Sequence, residues 1–224
     1  MTPTRRVVLG LAALSLNMAL AVGAPLAASA KPAPDKPAPA KSGPAKPAPA
    51  KLAPAVGDMS LGSARARIQV VEYASLSCPH CARFNGEVFP GFKARYVDTG
   101  KVRYTLREML TPPAEVAAAG FLMARCAGPK SYFKVVDEVF RSQSQWEGEI
   151  KPIFLGIAKN NGMTEAQFDA CLSSEAGYAD INARVKAAID AGVNSTPTFF
   201  INGKKYEGEM NLKQLDAAIA AASE

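Results

Sequence analysis

Cys78-Pro79-His80-Cys81 is the segment of this sequence best equipped to do chemistry. Two thiols with two residues between them can close into a small disulfide and reopen, carrying two electrons without a metal or an organic cofactor. Ahead of them, Ile68-Gln69-Val70-Val71-Glu72-Tyr73 reads as a buried strand, and helical character begins at Pro79. Cys78 is therefore expected where a strand ends and a helix begins. The unpaired N–H groups of a first helical turn carry partial positive charge, which favours a thiolate, the attacking form of a thiol. In such a turn the first Cys faces outward and the second packs behind it, making Cys78 the nucleophile and Cys81 the resolving thiol. His80, the only His in the chain, lies between them and could donate from its ring to the charged Cys78 sulfur.

Three other chemistries fit the same tetrapeptide. A structural disulfide would not need the strand-to-helix position. A zinc site would need ligands beyond the pair, with only His80, Cys126 and Cys171 left to supply them. Covalent haem attachment wants His directly after the second Cys, and residue 82 is Ala. The sequence therefore points to no metal and no cofactor beyond the pair of sulfurs.

The elements that must position this pair form one domain from residue 56 to the C-terminus. After the strand and a helical stretch over 79–97, Val102, Tyr104 and Leu106 alternate with polar residues as a half-buried strand. Thr111-Pro112-Pro113-Ala114-Glu115 reads as a helix start with Thr111 as the cap, and residues 114–192 look almost wholly helical. Thr164-Glu165-Ala166-Gln167 is a capping box. Strand character returns at Thr198-Phe199-Phe200-Ile201, followed by a two-residue turn at Asn202-Gly203 and a return strand over 204–207. Asn211-Leu212-Lys213-Gln214 opens a last helix. The fold class is α/β, a sheet interrupted by a helical insertion at about 111–192. Pro197 opens its strand, either as an ordinary trans proline at a strand edge or as a cis proline that turns the backbone of Thr196 toward the sulfur. Cys126 and Cys171 each lie on an apolar helical face. A disulfide between them is expected, against two separate buried thiols or a second redox pair.

The net charge of +6 does not imply nucleic-acid binding. Residues 1–30 carry +2, residues 31–55 carry +4, and residues 56–224 balance 19 basic against 19 acidic side chains. A phosphate-binding surface needs its cations on the folded domain. Thr4-Arg5-Arg6, an apolar run over 7–24 and Ala28-Ser29-Ala30 form a secretory signal with cleavage expected after Ala30. An uncleaved anchor is the competing reading, and the two arginines also fit a twin-arginine signal. Residues 31–55, with eight Pro, eight Ala and a Lys every five residues from Lys31 to Lys51, read as an extended disordered linker.

Two motifs together resemble a known family. Val71-Glu72-Tyr73-Ala74-Ser75-Leu76-Ser77-Cys78-Pro79-His80-Cys81 and Gly192-Val193-Asn194-Ser195-Thr196-Pro197-Thr198-Phe199-Phe200-Ile201-Asn202-Gly203 are similar to DsbA-type thiol:disulfide oxidoreductases over residues 57–223. The resemblance implies a thioredoxin-like fold with an inserted helical domain, working in the periplasm as a monomer. It implies donation of the Cys78–Cys81 disulfide to reduced exported proteins and reoxidation by a DsbB-type membrane protein. It makes Pro197 a cis proline, Thr196 the residue whose backbone pairs with substrate, and Glu72 a buried acid managing protons near Cys81; a half-exposed strand Glu is the alternative for Glu72. A Cys78 pKa of about 4, the DsbA-like value, against about 8.5 for free Cys would favour the reduced form at pH 7 by roughly 3 units, about 90 mV. Thr at position 196 also occurs in disulfide isomerases and reductases, so a reverse direction on the same site stays open. So does a non-catalytic peptide-binding or chaperone module.

Overall fold

The computed structural model describes residues 57–224; the expected signal (1–30) and linker (31–55) lie outside the described residues. A five-stranded sheet has the order β1-β3-β2-β4-β5. Its centre is β2, Ile68–Ala74, buried along almost its whole length. β3, Val102–Glu108, runs parallel beside it, with Glu72 opposite Leu106. On the other side β4, Thr198–Ile201, runs antiparallel, with Tyr73 opposite Thr198. β5, Lys204–Glu207, completes the hairpin. Asn202 and Gly203 both adopt positive φ at its turn, +45° and +87°, as a tight hairpin of this twist requires. Asn202 does more than turn: its side chain accepts from the Gln69 amide at 2.9 Å and donates to the Ala222 carbonyl at 3.2 Å. β1, Met59–Leu61, pairs antiparallel with β3. Sequence reading misses it because three half-buried residues are too few to show alternation.

Both faces of β2 are covered, which explains its continuous apolar run. Val70 joins the large core shared by the sheet and the helices, while Val71 and Tyr73 pack with Met109, Ala188, Val193 and Phe200. The helical stretch 79–97 alternates between α1 (Pro79–Arg83), a π turn (Phe84–Val88), α2 (Phe89–Phe92) and a second π turn (Lys93–Val97). The helical stretch expected over 79–97 is thus present, in alternating α and π turns. Pro90 has no N–H to give to the ladder, and wider turns on either side of α2 accommodate it.

Between β3 and β4 the chain forms α3 (Ala114–Cys126), α4 (Tyr132–Ser142) with a 3₁₀ turn (Gln143–Gln145), α5 (Ile150–Asn160), α6 (Glu165–Leu172) and α7 (Glu175–Asp190). This is the helical insertion in an α/β sheet. The capping box at Thr164 and Gln167 is present, and Asn211 with Gln214 forms another at the start of α8, Leu212–Ala221. Thr111 does not cap α3. Pro113 stands at that position with no side-chain cap, and the Thr111 hydroxyl bonds instead to the loop that carries the thiols. Gly120 marks where α3 meets that loop: a Cβ there would lie 2.9 Å from Leu76 Cδ1 and 3.3 Å from Val139 Cγ1.

Candidate active site

β2 delivers the chain to residues 75–77, and Cys78 is the N-cap of α1, with extended backbone (φ −84°, ψ 119°). Its amide donates to Ser75 O at 3.0 Å, and its carbonyl accepts from Ala82 N at 3.1 Å. Pro79 occupies the first helical position, where the absent N–H costs nothing. Cys78 and Cys81 are both unbonded thiols here, 5% and 0% exposed.

Their acidities diverge. The Cys78 pKa falls from 9.0 to about 5, chiefly because the Cys81 thiol donates to its sulfur; the Thr196 side chain and the backbone N–H groups of Cys81 and His80 add to this against the cost of burial. As a thiol, Cys78 Sγ donates to Thr196 O at 3.5 Å. The Thr196 hydroxyl has no hydrogen-bond partner of ordinary geometry among the described residues, so it is free to turn toward a charged sulfur. Cys81 moves the other way: burial pushes its thiol well above the ordinary range, with the neighbouring Cys78 and Glu72 raising it further. One sulfur is thus held as thiolate and the other as thiol.

Glu72 is 2% exposed, so the half-exposed alternative is set aside. Burial lifts its pKa from 4.5 to about 8, although the Tyr104 hydroxyl donates to its carboxylate at 2.6 Å and opposes that rise. The acid is mostly protonated at neutral pH and lies within electrostatic reach of both sulfurs. The Thr196-Pro197 peptide is cis, as is Pro112-Pro113.

His80 corrects an expectation. Its backbone N–H helps the Cys78 thiolate, but its exposed ring makes no hydrogen bond to that sulfur among the described residues. Ring Nδ1 instead meets the Glu209 carboxylate and lies 2.6 Å from Arg83 Nη2. Glu209 precedes α8 and gave no signal in the sequence, since its partners are more than 120 residues away.

Two more supports escaped sequence reading. The buried Ser75 and Ser77 and the half-buried Thr111 form a hydroxyl cluster. Ser77 Oγ donates to Thr111 O at 2.6 Å, and Thr111 N and Oγ1 both donate to Ser75 Oγ, at 3.0 and 2.9 Å. Gln143, at the end of α4, donates through Nε2 to Leu76 O at 2.7 Å and Cys78 O at 3.3 Å. The helical insertion thereby grips the backbone of the site. The two serines flank Leu76 in the strand-to-helix turn and could have been suspected as loop pins; Gln143 could not.

Cys126 and Cys171 are joined by a disulfide between α3 and α6, with Cα atoms 6.3 Å apart. They are not brought to the Cys78–Cys81 pair. No group of metal-ligating side chains occurs among the described residues, and none of their helices is long and apolar enough to cross a membrane.

Residues 55–221 match the family model described as Thioredoxin. A putative protein-disulfide oxidoreductase of Rickettsia bellii is 33% identical over 174 residues, covering 75% of this chain and 65% of that protein. The chain spans between 56% and 65% of the length of such curated relatives. Among solved structures, Wolbachia pipientis alpha-DsbA1 superposes with a TM-score of 0.70 at 28% identity, covering 76% of this chain and 93% of that one. A protein-disulfide isomerase from Novosphingobium aromaticivorans is similar at a TM-score of 0.64 and 26% identity, covering 75% and 98%.

Proposed function

The chain belongs to the thioredoxin family in its DsbA-type form, and from that premise we propose that it is a thiol:disulfide oxidoreductase donating its Cys78–Cys81 disulfide to reduced exported proteins. The observation that carries this reading is the split between the two thiols, with Cys78 lowered to about 5 and Cys81 raised.

A substrate thiolate attacks Cys78 Sγ of the oxidised enzyme. The new bond joins substrate sulfur to Cys78, the Cys78–Cys81 bond breaks, and its electron pair leaves on Cys81. That sulfur is buried and takes a proton, for which Glu72, largely protonated at pH 7, is the nearby acid. A second substrate thiolate then attacks the substrate sulfur of the mixed disulfide. The substrate leaves oxidised, and Cys78 leaves as thiolate, stabilised by the Cys81 thiol, Thr196 and the first-turn amides. Thr196 O, within hydrogen-bond reach of the sulfur, is placed to accept from a substrate backbone amide in the mixed disulfide.

A leaving thiolate that ionises at about 5 favours the reduced enzyme at pH 7 by about 2 units, or about 60 mV. Solvent near the surface trims that figure. It is smaller than the roughly 3 units and about 90 mV that a pKa of about 4 would give. Delivery to the periplasm rests on residues 1–30, and reoxidation by a DsbB-type membrane protein on the family.

An isomerase would use the same sulfurs from the reduced state, and the Novosphingobium neighbour bears that name. Ribonuclease separates the two. The oxidase forms disulfides in reduced ribonuclease while being consumed stoichiometrically, and a Cys81→Ala variant accumulates the mixed disulfide on Cys78. An enzyme that rescues scrambled ribonuclease yet leaves reduced ribonuclease unoxidised would overturn the donor direction.

A further inference from the structure

The rim of the site holds a charge cluster that the exchange reaction does not use. Glu209 stands in the turn between β5 and α8, yet its carboxylate reaches the helix that carries the thiols. It meets His80 Nδ1 and Arg83 Nη2 through Oε1, and Arg83 Nε donates to Oε2 at 3.1 Å. The three side chains are 59%, 48% and 35% exposed for His80, Arg83 and Glu209, so they sit at the mouth of the site. Arg83 is electrostatically coupled to Cys78, and Glu87 on the following turn also faces it. Arg83 hands Glu209 a bidentate partner, which holds the carboxyl below its usual range and keeps it ionised.

A cationic guanidinium and an imidazole close to a nascent thiolate would, left alone, favour it. We propose that Glu209 is a positioning residue of the exchange reaction: its carboxylate gathers the His80 ring and the Arg83 guanidinium onto the rim, keeps both from turning to the Cys78 sulfur, and so restrains how strongly the Cys78–Cys81 pair oxidises. This rests on the oxidoreductase reading and adds a control to it. The control comes from the last turn of the fold, so α8 and its cap, Asn211, are tied to the acidity of a sulfur about 130 residues away in sequence. It also accounts for a His in the dipeptide whose ring does not bond to the sulfur.

The test is Glu209→Gln, which keeps the shape and removes the charge. The Cys78 pKa should fall by about half a unit, and the equilibrium with glutathione should shift about threefold toward the reduced enzyme. The shift should shrink at high salt, because the cluster is exposed. Glu209→Asp, which keeps the charge, should restore most of the wild-type equilibrium. In a His80→Phe, Arg83→Met background the Glu209→Gln shift should fall below half its size. An unchanged equilibrium in Glu209→Gln would overturn the proposal, as would a full-sized shift in the double background, which would mean that Glu209 acts on the sulfur directly. Failure of the wild-type protein to exchange with glutathione at all would overturn the oxidoreductase reading instead.

Discussion

Replacing Glu72 by Gln should stabilise the protein at neutral pH and leave it nearly unchanged in acid. A carboxyl moved from 4.5 to about 8 on folding is held protonated by its surroundings. Its folded pKa lies above its unfolded one, so the full stability is present below pH 4.5 and is lost as pH rises through about 8. At pH 7 the unfolded chain has released this proton and the folded chain mostly has not. The difference is about 2.5 units, or about 3 kcal/mol, rising to about 5 kcal/mol above pH 8. Gln fills the same space, remains an acceptor for the Tyr104 hydroxyl and cannot ionise. Urea unfolding of the oxidised wild-type and Glu72→Gln proteins at pH 4, 5.5, 7 and 8 reads the difference directly, and in the oxidised form the small contribution of the Cys78 thiolate is absent. The gap should open from near zero at pH 4 to about 3 kcal/mol at pH 7. A gap that is the same at pH 4 and pH 7 would refute the reasoning, because it would mean that Glu72 ionises alike in both states.

The other expectations follow from single contacts. Tyr104→Phe removes the hydroxyl donated to Glu72, so the fall in stability should start at the same pH but run on about 1 to 2 units beyond pH 8, visible when the unfolding series is extended to pH 10. Cys126→Ser with Cys171→Ser opens a bridge spanning 45 residues. The chain-entropy model puts the loss at about 4 kcal/mol, near 10 °C in Tm by calorimetry, with the glutathione equilibrium of the Cys78–Cys81 pair unchanged. Gln143→Leu deletes the donor to Leu76 O and Cys78 O. It should cost about 1 to 2 kcal/mol and speed amide hydrogen exchange over residues 76–82, while α3 stays protected.

What the sequence disclosed was local. Cys78 reads as a thiol at the mouth of a helix because a strand pattern stops and a helix pattern starts within a few residues of it. Asn202-Gly203 reads as a turn because only such residues tolerate its backbone, and Thr164 with Gln167 reads as a cap because both partners lie within four residues. The supports of the site are legible only once folded. Glu209 meets His80 across 129 positions, and Gln143 reaches Leu76 across 67. No spacing rule connects such pairs, since each is set by where whole elements come to rest. Thr111 shows the competition: a sound local cap signal gave way to a hydroxyl cluster with Ser75 and Ser77, because Ser75 lay opposite once β2 and β3 had paired. Glu72, six residues before Cys78, is legible as a family acid, but only the closed sheet, opposite Leu106 and with the Tyr104 hydroxyl reaching its carboxylate, gives the burial that lifts its pKa.

Disulfide donation depends most on the acidity of one sulfur. Thiolate absorbance near 240 nm, followed in the reduced protein from pH 3 to pH 10, measures it, with Cys78→Ser as the blank. The predicted midpoint is about 5. A single transition near about 8.5, the value of a free cysteine, would contradict the account.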